Sequence, residues 1–214
     1  MSLQARVRNA DFLSRRMSAA QAAQLIEHGA TLGLSGFTGA GYPKALPQAI
    51  AERARAEHAA GRPFQVNVWT GASTAPEVDG ALAQAGAMAQ RLPFNSDAST
   101  RQQINAGTID YIDMHLSHVA QQAWFGFLGK LDVAIVEVAG ITPDGRLIPS
   151  TAVGNNKTWL EVADKSSWRS TPVCPKASRA CTTFTTAPPC PPGACPSASR
   201  TRTTALASPT CRWT

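Results

Sequence analysis

The chain has 214 residues, with 20 Lys and Arg against 14 Asp and Glu, five Cys and fifteen Pro, a length that holds one large domain or two small ones. These averages merge two unlike segments. Residues 1–165 carry 14 basic and 14 acidic side chains and no cysteine, whereas 166–214 carry six basic and no acidic side chains, all five Cys and eight of the Pro. The formal charge of +6 therefore resides in the last segment, which excludes reading the whole chain as a basic nucleic-acid binder. No run approaches the roughly 18 apolar residues of a membrane span, and the N-terminus lacks the charged-then-apolar layout of a secretory signal, so a soluble cytoplasmic protein is expected, without membrane partners. The five cysteines are odd in number and form no C-x-x-C pair, which fits neither a disulfide framework nor a zinc site.

Ser18-x-x-Gln21 is a capping-box pattern and predicts a helix from Ala19 to His28, with Ala22, Leu25 and Ile26 on its core face and Gly29 ending it. Thr31 to Leu34 reads as a short buried strand running into Gly36-Phe37-Thr38-Gly39-Ala40-Gly41-Tyr42-Pro43-Lys44, a loop whose glycines permit conformations closed to other residues. A helix from Ala45 to about Ala60 turns Leu46, Ile50 and Ala54 inward and pairs Arg53 with Glu57 on its outside. Strand, loop and helix recur. Phe64 to Thr70 alternates Phe64, Val66 and Val68, then breaks at Gly71-Ala72-Ser73-Thr74; Pro76 to Ala85 has a helical pattern weakened by Gly80. Pro93 to Asp97 is a loop leading to a helix over Ser99 to Ala106. A strand over Thr108 to Ile112, a helix around Val119 to Phe127, and an apolar strand Val133 to Val138 follow. Thr142-Pro143-Asp144-Gly145 is a turn by composition, Leu147 and Ile148 form a short strand, and Val153-Gly154-Asn155-Asn156-Lys157 opens a last helix reaching Val162. The alternation argues a mainly parallel, open α/β sheet with flanking helices and right-handed crossovers. Ligands of such sheets lie beyond the carboxyl ends of the strands, where the glycine loop, Gly71 to Thr74 and Pro93 to Asp97 all fall.

The spacing of Gly36, Gly39 and Gly41 is the reverse of the dinucleotide fingerprint, and Lys44 lacks the following Ser or Thr of a Walker loop. What remains is a glycine turn before a helix, suited to a phosphate, a carboxylate or an oxyanion, or simply to a tight turn. His115-x-x-His118 lacks the glutamate and spacing of a zincin, so partly exposed histidines are expected and no metal. Glu137 lies within the most apolar strand; burial would raise its pKa, while the alternative places it at a strand end, capping or salt-bridged. Trp124, Phe125 and Phe127 are expected in the core. No Ser, His and Asp triad is recognisable.

Leu34-Ser35-Gly36-Phe37-Thr38-Gly39-Ala40-Gly41-Tyr42-Pro43-Lys44, Thr70 to Thr74, Pro93-Phe94-Asn95, Ile104-Asn105-Ala106-Gly107 and Gly154-Asn155-Asn156-Lys157-Thr158-Trp159 together resemble the acetyl-CoA hydrolase/transferase family, class I CoA-transferases of the succinyl-CoA:acetate type. The resemblance runs from about Arg8 to Lys165. It implies the first of two similar α/β halves of an enzyme that moves CoA from an acyl-CoA to a small carboxylate, homodimeric at full length, with CoA as substrate and no other cofactor. It also implies a glutamate nucleophile forming an acyl-glutamyl anhydride and then a glutamyl-CoA thioester, with backbone donors on the oxyanions. The nucleophile belongs to the second half, so no catalytic residue is assigned here and Glu137 does not match its motif. The carboxylate pocket is implied to be walled by Gly36, Phe37, Thr38, Gly39 and Gly41, by Gly71, Ala72 and Ser73, and by Asn95 and Ser96. A non-catalytic module binding a small carboxylate or phosphate is the alternative.

After Lys165 the resemblance stops. With codons TCA TCC TGG AGG TCA ACA CCC for Ser166 to Pro172 and one G restored in front, the letters read V-I-L-E-V-N-T, and permitted synonyms carry Val173 to Ala187 into R-L-P-E-G-L-E-G-M-H-D-I-Y-Y-G. Both stretches resemble the family's continuation. A single-nucleotide deletion after the Lys165 codon is therefore expected, with residues 1–165 as the domain and 166–214 as an out-of-frame, unstructured tail that truncates the enzyme before its glutamate. Such a tail holds too little apolar surface to offset ordering, about 1–2 kcal/mol per residue. A genuine basic arm for nucleic acid is the competing view. Loss of the following strand and of the second half would leave an open sheet edge and an apolar face, so low solubility is expected.

Overall fold

The computed structural model describes residues 3–170 and 182–186. Helices α1 (Leu3–Arg6) and α2 (Ala10–Ser14) and strand β1 (Arg16–Met17) lead into α3 (Ala19–Gln24), whose capping box is complete: Ser18 Oγ accepts from Gln21 N at 3.1 Å and Gln21 Oε1 from Ser18 N at 2.9 Å. Then come β2 (Thr31–Leu34), β3 (Phe37–Thr38), α4 (Ala45–Ala59), β4 (Val66–Trp69) and β5 (Ala72–Ser73). A π-helical turn (Pro76–Gly80) runs into α5 (Ala81–Gln84), followed by β6 (Met88–Leu92), α6 (Ala98–Asn105), β7 (Asp110–Tyr111) and α7 (Leu116–Trp124). The rest comprises β8 (Val133–Ile141), β9 (Leu147–Pro149), α8 (Asn156–Val162), β10 (Lys165–Ser170) and β11 (Thr182–Thr186).

Among the described residues the main sheet has the order β1-β11-β10-β8-β2-β4-β6-β7, with β9 paired to β8 alone. From β10 through β8, β2, β4 and β6 to β7 every pairing is parallel; β11 runs antiparallel to its two neighbours, as does β9 to β8. This is the mainly parallel sheet with flanking helices that the alternation predicts. From β2 the chain steps outward through β4, β6 and β7, then returns through α7 to lay β8 on the other side of β2. Strand order reverses between β2 and β8, which opens a crevice beyond their carboxyl ends.

Pleating sorts the core. Leu32, Leu34, Val66, Val68, Val133 and Ile135 face α3 and α4, where Ala22, Ile26, Leu46 and Ile50 cover them. Trp69, Leu92 and Ala134 point the other way onto Val119 of α7 and Trp159 of α8. Val136, Val138 and Ile141 extend β8 against Val7, Phe12 and Leu147. α8 lies flat on β2 because Gly33 has no side chain: a Cβ there would stand 2.9 Å from Trp159 Cγ and 3.0 Å from Leu131 Cδ2.

Several elements depart from expectation. α3 stops at Gln24, because Leu25 caps it and Gly29, at φ 80, turns the chain to donate to Gln65 O; Leu25 is consequently exposed. α7 starts and stops three residues early, leaving Trp124, Phe125 and Phe127 at and beyond its end with 49%, 53% and 74% exposure, not in the core. Arg53 does more than pair with Glu57 at 3.7 Å. Its guanidinium sits 4.3 Å over the Phe64 ring and donates to Ala23 O at 2.6 Å, tying α4 to the end of α3. β6 has no counterpart among the predicted strands, since Gln90 and Arg91 interrupt its apolar pattern. Lys165 to Ser170 pairs in parallel register with Val133 to Val138, and Thr182 to Thr186 pairs beside it; both lie where no structure is expected beyond residue 165. The open edge of β8 offers unpaired N–H and C=O groups that any extended segment can satisfy. The remaining tail, with its cysteines, lies outside the described residues. No helix among the described residues is long and apolar enough to cross a membrane.

Gly33→Ala should lower stability by about 1–3 kcal/mol through overpacking against Trp159. Urea unfolding should show a lower midpoint at unchanged slope; a wild-type midpoint would mean that α8 yields freely.

Candidate functional site

Beyond Leu34 the chain enters the crevice through Ser35, which is fully buried. Its Oγ accepts the N–H of Asn155 at 2.8 Å. A Cβ at Gly71 would stand 2.8 Å from that oxygen, and one at Gly154 only 2.1 Å away. Asn155 Nδ2 also donates to Thr70 O at 3.4 Å. Three segments from different strands thus converge on one hydroxyl, and glycine is required where two of them approach it.

They enclose a cleft of about 340 Å³, with Gly36, Phe37, Gly71 and Ala72 on one side and Leu116 and Ala152 to Asn155 on the other. The glycine loop is folded on itself: Phe37 N donates to Ala40 O and Ala40 N to Phe37 O, both at 2.9 Å. Gly36 lies so close to the returning chain that a Cβ would be 2.5 Å from Ala40 O. β3 and β5 pair in parallel, Phe37 beside Ala72 and Thr38 beside Ser73, which fixes the two predicted loops to one another. Gly41, at φ 69, packs on the opposite wall, where a Cβ would meet Ala152 N at 2.7 Å.

Of the residues expected to wall a pocket, the structure places Gly36, Phe37, Gly71 and Ala72 on the cleft, and Thr38 and Ser73 next to them in the ladder. Gly41 lies behind the lining, and Gly39 sits at the loop tip, where a Cβ would find nothing within 4 Å. Asn95 closes its own turn, its Oδ1 accepting from Asp97 N and its Nδ2 donating to Asp97 O, each at 3.1 Å. Ser96 meets Thr74, with the hydroxyls 2.9 Å apart. Asn95 and Ser96 are therefore at the outer end of the Gly71 to Thr74 segment and not on the lining. Leu116 and Ala152 are wall residues that the sequence does not single out, and Val153 to Asn155, read there as a polar loop and part of the resemblance, are not expected as pocket lining. Their signal is the polar Val153 to Lys157 loop preceding a helix, at the strand that lands beside β2.

None of the lining residues carries a charged side chain, and Asn155 is the polar one among them. Beneath the glycine loop, buried Tyr42 donates its hydroxyl to Glu77 Oε2 at 2.8 Å. Burial first, and that hydrogen bond second, push its phenol far above the ordinary tyrosine range, so it stays protonated. Under the other loop lies a fully buried ion pair, Arg91 Nε to Asp79 Oδ1 at 2.6 Å. Glu137 is not at a strand end, because β8 runs on to Ile141, and it forms no ion pair with the side chains described. It is 4% exposed; Oε1 accepts from Ser150 Oγ at 2.9 Å and Oε2 has no hydrogen-bond partner. His115 and His118 are exposed, His115 capping α7 through Ser117, and no group of three or more possible metal-ligating side chains occurs among the described residues. A second depression, about 390 Å³, lies between α4 and the π-turn on the helix layer, away from the strand ends.

Residues 1–167 match the family described as the acetyl-CoA hydrolase/transferase N-terminal domain. The propanoyl-CoA:succinate CoA transferase of Escherichia coli is 44% identical over 150 residues, covering 70% of this chain and 30% of that protein. The succinyl-CoA:acetate CoA-transferase of Clostridium kluyveri is 41% identical over 160 residues, 75% of this chain and 29% of that protein. The acetyl-CoA hydrolase of Saccharomyces cerevisiae is 33% identical over 170 residues, 76% and 32% respectively. The chain thus spans about a third of the length of these relatives. In fold it is similar to RipA from Yersinia pestis, at TM-score 0.56 and 18% identity over 78% of this chain and 37% of that one. It is also similar to glutaconate coenzyme A-transferase from Acidaminococcus fermentans, at TM-score 0.54 and 14% identity over 70% and 64%.

Gly154→Ala should cost about 1–3 kcal/mol or more, since the methyl would overlap Ser35 Oγ at a left-handed φ. Gly39→Ala, with open space around it, should stay within about 0.5 kcal/mol of wild type. Equal thermal melts for the two variants would contradict the packed junction at Ser35.

Proposed function

Since this chain belongs to the acetyl-CoA hydrolase/transferase family, as its N-terminal domain, we propose that its cleft is the substrate-facing wall of an acyl-CoA:carboxylate CoA-transferase or acetyl-CoA hydrolase. The observation that carries this reading is the position of the cleft: it opens at the reversal of strand order between β2 and β8, walled by the Gly36-Phe37, Gly71-Ala72 and Gly154-Asn155 segments. Such a wall supplies shape, backbone dipoles and exclusion of water to a small acyl group or carboxylate. It supplies no nucleophile, and the glutamate that the family chemistry calls for has no counterpart among the lining residues. The domain by itself is inactive, and its acyl-CoA and carboxylate partners meet it in the cytoplasm within a longer, dimeric enzyme.

The chain beyond Lys165 is, on the same proposal, read one nucleotide out of frame. The family match ends at residue 167, and acidic residues cease after Asp164. The register adds support: Ser166, Ser167 and Ser170 stand opposite Ala134, Ile135 and Val138 of a buried strand, where the restored reading has valine, isoleucine and valine. Apolar residues at those positions suit a strand inside a parallel sheet, and serines do not.

Incubated with propionyl-CoA and succinate the purified chain should form no succinyl-CoA above background, and with acetyl-CoA and water it should release no free CoA, whereas the frame restored after the Lys165 codon and read through the downstream DNA should yield an active enzyme. Turnover by the 214-residue chain would defeat the inactive-domain reading. An uninterrupted frame in independent DNA reads would defeat the deletion.

A further inference from the structure

Arg91 and Asp79 form the one ion pair among the described residues in which both side chains have no exposure at all. Two charges so placed cost several kcal/mol each to desolvate, so the pair adds little net stability compared with apolar residues of the same size. Its connections show another consequence. Arg91 lies on β6, and besides its 2.6 Å bond to Asp79 it donates through Nη1 to Thr70 Oγ1 at 2.7 Å and to Leu92 O. Asp79, on the π-turn, uses its second oxygen to accept the Ala75 N–H at 3.0 Å. Thr70 and Ala75 are the residues that flank Gly71 to Thr74. Thr70 in turn receives Asn155 Nδ2 at its carbonyl, so the same point also meets the opposite wall.

We propose that Arg91 and Asp79 are positioning residues: they clamp both ends of the Gly71 to Thr74 segment and thereby set where that wall of the cleft stands. The planar guanidinium suits this task because it donates to a carboxylate, a hydroxyl and a carbonyl at fixed angles, which a lysine ammonium on a flexible stem does not reproduce. Neither residue reaches the cleft lining; their effect is transmitted through Thr70 and Ala75. The proposal rests on reading the cleft as a substrate wall, but what it asserts is the position of the segment, which is measurable without turnover.

The test compares the wild-type chain with Asp79→Asn/Arg91→Met and with Thr70→Val. The double variant removes both charges together, so neither is left buried alone, and the asparagine oxygen still accepts from Ala75. Thr70→Val removes the hydroxyl that Arg91 holds, together with that hydroxyl's longer bonds to Gly71 O at 3.2 Å and Leu92 O at 3.4 Å. Residue-resolved amide hydrogen exchange, with 1H–15N shifts as a second readout, should show the amides of Gly71 to Thr74 exchanging at least tenfold faster in both variants. The amides of β2, β4 and β8 should keep wild-type protection. Unchanged exchange at Gly71 to Thr74 overturns the proposal, as does a uniform acceleration across all strands, which would mark the pair as merely structural. If the double variant does not fold, Thr70→Val decides by the same two criteria. Titrating the wild-type chain with propionate separates the two readings. Shifts absent from the cleft amides would count against the substrate wall, while the exchange result would still judge the clamp.

Discussion

Ser35 Oγ holds together the carboxyl edge of the sheet, because two chain segments far from it in sequence, one at Gly71 and one at Gly154 and Asn155, both depend on its position. Asn155 N–H, part of a half-buried junction, has this oxygen as acceptor at 2.8 Å, and a buried donor left without one costs about 1–3 kcal/mol. Gly71 and Gly154 approach the same atom too closely for any Cβ. The contact is possible only because β8 lies beside β2, so that the chain leaving β8 through β9 comes back over the end of β2. The strand order, the two glycines and the cleft are therefore one constraint seen at three scales.

Several buried polar groups lie beside the second wall. Glu137 Oε2, both polar atoms of the Asn156 side chain and Trp159 Nε1 are buried without a hydrogen-bond partner among the described residues, although buried polar groups are paired in the great majority of cases. Glu137 and Asn156 bracket the Ala152 to Asn155 lining in space through Ser150 and the start of α8. The first wall is built differently, with its buried charges fully engaged between Asp79, Arg91 and Thr70. A fold optimised for stability alone would fill both places with apolar side chains.

Much of this was legible in the sequence where local chemistry and tertiary packing agree. The Ser18 box, the alternation of Phe64, Val66 and Val68, the Leu46, Ile50 and Ala54 stripe and the Thr142 to Gly145 turn all appear as expected, since each is decided within a few residues. What was not legible required long-range partners. β6 has the look of a loop because Arg91 interrupts it, and the Asp79 carboxylate, twelve positions earlier, with Thr70 and Leu92 O, makes a buried arginine tolerable there. The exposed aromatics after α7 read as core because composition carries no information on where a helix ends; Gly126 and Gly129, both at positive φ, mark that end. The second wall was visible as a polar loop, but its place opposite the glycine loop follows from β8 returning to the side of β2, which no local pattern encodes.

The cleft's lack of charged side chains bears on how such a domain takes part in catalysis. Burying a carboxylate among apolar groups is costly unless donors replace its water, and the lining residues carry no side-chain donor besides Asn155, so any others would be backbone dipoles. Dipoles of this kind stabilise developing charge best when they are fixed in advance and shielded from water. On the proposed reading, what the domain contributes is therefore rigidity of its loops: the β3 and β5 ladder, the Ser35 junction and the Asp79 and Arg91 pair each remove freedom from a segment that faces the cleft. On the same proposal, the covalent step falls to the rest of an enzyme as long as the relatives, while this wall holds the acyl group or carboxylate in place.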